Sequence, residues 1–582
     1  MKQGGSFLLE PVVGKIFTRE QFTEEQQEIN EMVRQFARER IYPNRGELGT
    51  HAKELHLQLM KEASELGLTA IDVPEAYGGM DMDKITSAMV VEALTTGQSA
   101  SWMVTFLAHC GIGTLPIVYF GSEAQKATWL PKLTSVDYLS AYALTEPGAG
   151  SDALNIKTSA HLSEDGTHYV LTGTKQFITN GGWADLFIIF AKIDDSDFTA
   201  FVVPRDTEGL TIGPEEEKMG IRGSSTTSVT LENCRVPVEN LLGERGKGHH
   251  IAFNILNIGR FKLGAADLGG CKACVGQAVT YALERKQFGQ PIATFDAIRS
   301  KFADMVVRTY VLDSAIYRTV GLMEERISTL DPSSEDYRLK VWDALEAFAI
   351  EASIAKILGS ETLFGVSDHG IQIYGGYGFI EEYPMAGVFR DTRIDRIYEG
   401  TNEINRMVIY GYLLKNALLE EIPLRESVKT WTKMPSMAEG PFAWEIQALE
   451  AMRRMVMKLV DRAIGVYGQD LRNEQIVGEQ LADLVIGYYG ASSALNRVLH
   501  HDGSGRDRAL KSIVRLAVTS VLKQFTGTIH GLAPTLYPGK EWEQARGPFS
   551  ELFMYTIIPF NPVDEIRHLT DDLYQHQTYR YE

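Results

Sequence analysis

A carboxylate standing between an aromatic residue and a glycine offers the first chemistry. In Arg390-Asp-Thr-Arg-Ile-Asp-Arg-Ile-Tyr-Glu-Gly-Thr-Asn-Glu-Ile-Asn-Arg406, Glu399 follows Tyr398 and precedes Gly400-Thr401 at the break between two helical patterns. A Glu at such a break can present its carboxylate to a ligand, and the backbone N–H groups beyond it can bind something anionic or polar. That is the equipment of a general base. Taken alone, the tetrad fits a solvated helix end better, so the rest of the chain must decide. A second chemical candidate, Cys271-Lys-Ala-Cys274, has redox or metal half-site spacing but lies in a small-residue helical run without a second pair. Buried structural thiols are the reading it supports.

The elements that position these residues follow from length and texture. At 582 residues the chain exceeds one hydrophobic core, and three or four structural units are expected. A net charge of −19 argues against nucleic acid, which needs concentrated Lys and Arg. Four cysteines, Cys110, Cys234, Cys271 and Cys274, are too few for a disulfide framework and point to a reducing compartment. No secretory signal is expected at the N-terminus, and no apolar run is read as long enough for a membrane span. These features together predict a cytoplasmic protein.

Apolar residues at helical spacing, as in Ile29, Met32, Val33 and Phe36, predict a helical domain over 1–134. Short β-branched and aromatic runs separated by Gly, Asp and Asn predict a β-domain over 135–245. It opens with the hydroxyl- and Gly-rich Tyr142-Ala-Leu-Thr-Glu-Pro-Gly-Ala-Gly-Ser-Asp152. The helical period returns over 246–419. There Ile371-Gln-Ile-Tyr-Gly-Gly-Tyr-Gly378 follows a helix rather than a strand, so a dinucleotide fold is set aside. Pro423 and Pro435 suggest a linker over 420–441, and 442–582 reads as a further helical domain. The fold class is mainly α with a central β-domain.

Five stretches, in this order, resemble the acyl-CoA dehydrogenase family: Leu144-Thr-Glu-Pro-Gly-Ala-Gly-Ser-Asp152, Thr174-Lys-Gln-Phe-Ile-Thr-Asn-Gly-Gly182, Glu284-Arg-Lys-Gln-Phe-Gly289, Gln372-Ile-Tyr-Gly-Gly-Tyr-Gly378 and Ile397-Tyr-Glu-Gly-Thr-Asn402. The C-terminal extension, with Asn473-Glu-Gln-Ile-Val-Gly-Glu-Gln-Leu-Ala-Asp483, is similar to the additional domain of the very-long-chain branch. The resemblance implies an α-helical domain, a β-barrel-like domain and a four-helix-bundle domain, with FAD as cofactor and no metal. It implies that Glu399 is the catalytic base. Tyr142, Leu144 and Thr145 would line the flavin, and Phe177, Ile178 and Thr179 would flank its ring. Ser151 would meet both cofactor and the acyl-CoA pantetheine. Arg285, Phe288, Gln372 and Gly376 would hold the FAD of a neighbouring subunit, with Thr401 and Glu403 near the same cofactor. Asn257, Arg260, Tyr398 and Gly400 would contact substrate. Some branches of the family carry the base beside Arg260 instead; Gly259 stands there in this chain, which leaves Glu399.

The implied activity is dehydrogenation of an acyl-CoA, with long chains suggested by the extension, to a trans-2-enoyl-CoA in fatty acid β-oxidation. Electrons would pass to an electron-transferring flavoprotein; an acyl-CoA oxidase using O2, and a catalytically silent scaffold, are the competing readings. A homodimer or dimer of dimers is implied. The first helix after Pro441 carries an apolar stripe (Ile446, Leu449, Met452, Val456, Leu459) beside Arg453, Arg454, Lys458 and Arg462. Packing of the stripe with a solvated charged face is preferred to docking on a membrane surface, because Glu445, Glu450 and Asp461 dilute the basic face.

Overall fold

The computed structural model describes residues 3–430, 439–502, 505–541, 543, 549 and 554–582. The N-terminal helices begin with Glu24–Phe36, started by a capping box in which Thr23 and Gln26 satisfy each other's backbone N–H groups. Lys84–Leu94 is buried all round. Ala100–Leu107 continues through the wider turn Ala108–Gly113 into Leu115–Phe120. This stretch corrects one expectation: Ala100–Phe120 is long and apolar enough to cross a membrane. It is mostly buried inside the molecule, as a core helix must be when its apolar surface has neighbours on every side.

The β-domain is one sheet of β1 (Ser140–Ala143), β2 (Ser159–Leu162), β3 (His168–Thr179), β4 (Leu186–Ile193), β5 (Asp197–Pro204), β6 (Leu210–Glu215), β7 (Thr226–Pro237) and β8 (Leu241–Leu242). The order is β6-β7-β3-β2-β4-β5-β8, with β1 parallel to β4. Leu171, Phe187, Ile189, Phe201 and Val229 form its core. The β3–β7 register shifts between Lys175 and Ile178, and Phe177 in that bulge has φ +58. A bulge re-aims the side chains that follow it.

The C-terminal bundle consists of Gly248–Glu284, Asp296–Ile327, Ala349–Tyr374 and Asn402–Leu418. Its first and third helices touch closely because glycines face each other. A Cβ on Gly264 would lie 2.7 Å from the Ala355 carbonyl oxygen, and one on Gly359 would lie 2.8 Å from Gly264 Cα. Part of the expected linker is itself helical, Leu424–Thr430, whereas Pro435 falls outside the described residues. Beyond it run Ala443–Tyr467, Gln475–Asp502, Arg508–Leu536 and Pro562–His576.

This extension is laced into the body. Arg318 donates to Ser492 Oγ at 3.1 Å and Ser493 Oγ at 3.2 Å. Asn496 donates to the Val12 carbonyl at 2.7 Å. The charged face expected to be solvated is so only in part: Lys458, Asp461 and Arg462 are half-buried, whereas Glu450, Arg453 and Arg454 are buried, with both arginines on the Glu450 carboxylate at 2.8 and 2.7 Å. Leu449, Met452, Val456 and Leu459 are buried as well. Most of the stripe is therefore packed inside the molecule rather than presented to a membrane.

Candidate active site

Glu399 ends the irregular segment after the short helical turn Thr392–Arg396. It has φ +59 and Gly400 has φ +78, two consecutive left-handed residues that turn the chain sharply into the helix Asn402–Leu418. For a glutamate this costs about 1–2 kcal/mol, and neighbouring side chains hold it. Asn405 Nδ2 donates to the carbonyls of Glu399, Gly400 and Thr401 at 3.3, 2.9 and 3.1 Å. Lys356 Nζ donates to the Gly400 carbonyl at 2.9 Å and to Asn402 Oδ1 at 2.6 Å. Arg260 Nε reaches the Glu399 carbonyl at 3.4 Å. Thr401 caps the following helix, its side chain accepting from the Ile404 N–H at 3.3 Å.

The carboxylate itself lies on Gly259. A Cβ there would come within 2.5 Å of Glu399 Oε2, so the missing side chain is what makes room for the acid. Oε2 is buried without a hydrogen-bond partner. Burial pushes the Glu399 carboxyl up to about 7, against the pull of Arg260 and Lys356. Burial lowers those two cations to about 10 and about 8, with Glu399 among the groups that oppose the fall. A carboxyl that titrates near neutrality, with a bare oxygen held in place, is matched to proton abstraction.

Around it, Tyr142 sends its hydroxyl to the Ala252 carbonyl at 3.2 Å and lies within electrostatic reach of Glu399. Arg260 Nη1 donates to Asn257 Oδ1 at 2.8 Å. Tyr398 donates to Asp395 Oδ1 at 2.6 Å. Burial raises Asp267 far above the ordinary carboxylate range, and its hydrogen bond to Asp395 raises it further. Beyond Tyr398 a tunnel opens between Ala100–Leu107 and Gly248–Glu284, lined by Met103, Leu107, Leu263, Gly270 and Cys274. Gln277 donates to Gln98 at its far end. From Leu263 to Gln277 the helix rises about 21 Å. A wider outer groove, lined by Tyr119, Lys247 and Arg338, includes none of the residues around Glu399.

An N-terminal acyl-CoA dehydrogenase domain matches residues 23–137, a middle domain 141–234 and a C-terminal domain 246–414. The chain belongs to the acyl-CoA dehydrogenase family. A probable acyl-CoA dehydrogenase of Bacillus subtilis is 44% identical over 85% of this chain and 84% of its own length. The very long-chain specific acyl-CoA dehydrogenase of Homo sapiens is 35% identical over 83% of this chain and 77% of its own. An acyl-CoA dehydrogenase complexed with FAD from Bacillus anthracis superposes with a TM-score of 0.95 at 40% identity, over 100% of both chains. The family is FAD-dependent and acts on CH–CH bonds, and this acyl-CoA dehydrogenase is such an oxidoreductase.

The residues present fit a flavin. Phe177 is 59% exposed, an aromatic face turned outward at the bulge of β3. Of its neighbours, Ile178 is buried in the β-core, so only its backbone faces outward, and Thr179 is half-buried. Leu144 is buried, Thr145 half-buried and Ser151 exposed. Their loop is held by Glu146, which accepts from the Thr158 N–H at 3.1 Å and from Lys175 Nζ at 2.7 Å. Glu403 stands in the first turn of the Asn402–Leu418 helix.

Four predicted residues lie elsewhere. Arg285 ends the helix that carries Arg260, about 37 Å along it. Arg285, Phe288, Gln372 and Gly376 are all exposed, and Arg285 stacks on Tyr377 at 5.5 Å. They form their own surface cluster, away from Glu399 of the same chain. The bracing residues Lys356, Asn402 and Asn405 escaped the sequence reading, as did the Glu146–Lys175 pair. Asn402 and Asn405 were within sight, three residues apart at the start of a helix; Lys356 gave no signal.

Proposed function

We propose that this enzyme dehydrogenates long, unactivated acyl-CoA thioesters with Glu399 as the base. The observation that carries the reading is the buried, unpartnered Oε2 of Glu399, next in sequence to Tyr398, which lines the largely apolar tunnel. The α-carbon proton of a bound thioester goes to that oxygen. Arg260 and Lys356 hold the loop carbonyls so that the carboxylate does not swing away. The Glu399 N–H has no backbone acceptor among the described residues, which leaves it for the thioester oxygen as charge develops there. FAD, when bound, supplies the acceptor for the β-hydride. The tunnel takes the acyl tail and keeps water from the reacting carbons.

The exposed cluster of Arg285, Phe288, Gln372 and Gly376 supports a dimer in which each chain holds part of its partner's FAD. An electron-transferring flavoprotein as acceptor, and a place in fatty acid β-oxidation, follow the resemblance. The test is anaerobic flavin bleaching across acyl-CoA chain lengths. Long saturated acyl-CoA bleaches the wild type, and Glu399→Gln binds it without bleaching. Bleaching by the Gln variant at the wild-type rate would remove Glu399 from the mechanism. Bleached flavin that survives in air points to the flavoprotein acceptor, and rapid reoxidation points to an oxidase.

A further inference from the structure

Among the residues that line the tunnel, the β-domain contributes one, Ile221. It lies in the loop between β6 and β7, is 8% exposed and has φ +45. In left-handed backbone Cβ crowds the following carbonyl, and a β-branched side chain makes that crowding worse. Three contacts hold the loop in this shape. The Ile221 N–H donates to Asp391 Oδ1 at 2.5 Å. Gly220 lies flat on the next segment, where a Cβ would come within 2.3 Å of the Arg390 carbonyl oxygen. Gly223 lies on Leu48, where a Cβ would come within 1.7 Å of its carbonyl oxygen, and its N–H donates to Ser101 Oγ at 3.1 Å.

The loop is thus pinned to both helical domains. Strained backbone persists only where its surroundings over-determine it, and such places cluster at ligand clamps. A glycine at 221 would take the same backbone without strain. What isoleucine adds is a rigid, branched side chain on the wall of the tunnel that Asp391 and Ala100 also line.

Resting on the acyl-chain reading of this tunnel, we propose that Ile221 is a specificity-determining residue: it narrows the tunnel beyond Tyr398, admitting an unbranched acyl chain and rejecting one that carries a branch at that depth. One methyl group placed against a closed apolar wall is discriminated about 10–200-fold. The expected signature is therefore positional, a short window of carbons at which branching is penalised.

The experiment uses the purified FAD enzyme and palmitoyl-CoA analogues that carry a single methyl branch at successive carbons, with anaerobic flavin bleaching as the readout. Wild type discriminates against branches in one window by at least about tenfold relative to the straight chain. Ile221→Gly loses that window, and Ile221→Val, which keeps the branched shape, retains it. Ile221→Phe lowers the ratio of long-chain to short-chain bleaching, which gives an independent reading if the Gly variant does not hold flavin. An unchanged window in Ile221→Gly, or an unchanged length ratio in Ile221→Phe, overturns the role of Ile221 alone. Failure of wild type to bleach with any straight chain overturns the tunnel reading together with it.

Discussion

Glu399 is held in a state that costs the fold stability, and the cost can be measured. Burial lifts its carboxyl from the ordinary 4.5 to about 7, so between those pH values the folded chain binds a proton that the unfolded chain does not. The resulting stability is complete below the lower value and is lost as pH rises through the upper one. Glu399→Gln removes the titration. The variant is expected to match wild type at pH 4.5 and to exceed it by about 2 kcal/mol at pH 8, after allowing for partial exposure of the side chain. Thermal unfolding at the two pH values checks this, and equal shifts at both would show that Glu399 is not raised. In wild type, kcat/KM should climb with pH through about 7 as the base loses its proton. A second prediction concerns Gly259. Its alanine variant places a methyl 2.5 Å from Oε2, so flavin reduction should fall by about 100-fold or more while FAD is retained, since a displacement of 1 Å costs about that much. Bleaching at the wild-type rate would show that the acid works elsewhere.

At the scale of elements, the contiguous part of the site was legible and the braced part was not. Tyr398, Glu399 and Gly400 stand in one motif, whose turn is readable from a glycine between two helical patterns. Lys356 and Asp267 lie on other helices, and helical spacing does not say which turn of one helix meets a loop from another. Ile178 shows a different limit. Strand alternation assigns faces by a period of two, but the bulge at Lys175–Ile178 breaks the count, so Phe177 faces outward and Ile178 joins the core. Asn405 is the element-scale test. Three loop carbonyls depend on its amide, so Asn405→Ala should destabilise by about 1–3 kcal/mol and slow flavin reduction more than it changes the acyl-CoA dissociation constant. If bleaching is unaffected while stability drops, the amide supports the fold and not the base.

At the scale of the whole molecule, the helical extension packs most closely on the active site along the helix Asn402–Leu418. Asn402–Leu418 starts at the base's loop, and Gln475–Asp502 packs along it. Arg406 ties it to Gln475–Asp502 through Asp483, Nε to Oδ1 at 2.7 Å, and to Ala349–Tyr374 through Glu361, Nη1 to Oε1 at 2.9 Å. One turn on, Gly478 lies against the Tyr410 ring, where a Cβ would come within 2.3 Å of the ring carbons. The stripe and charges of Ala443–Tyr467 are compatible in sequence with either packing or membrane contact. The burial of Glu450, Arg453 and Arg454 favours packing, because charges placed inside must be paired to be tolerated. The packed extension therefore clamps the helix that carries Asn402 and Asn405. Gly478→Val drives a wedge into that clamp without touching any residue near Glu399. It is expected to cost about 1–3 kcal/mol by overpacking and, if the clamp positions the base, to slow flavin reduction by about tenfold or more with FAD content unchanged. The comparison that decides is with a core variant of equal stability loss in the β-domain, such as Val229→Ala. Equal bleaching rates in the two would reduce the extension to a stabilising shell, whereas selective loss in Gly478→Val ties the added domain to the placement of Glu399.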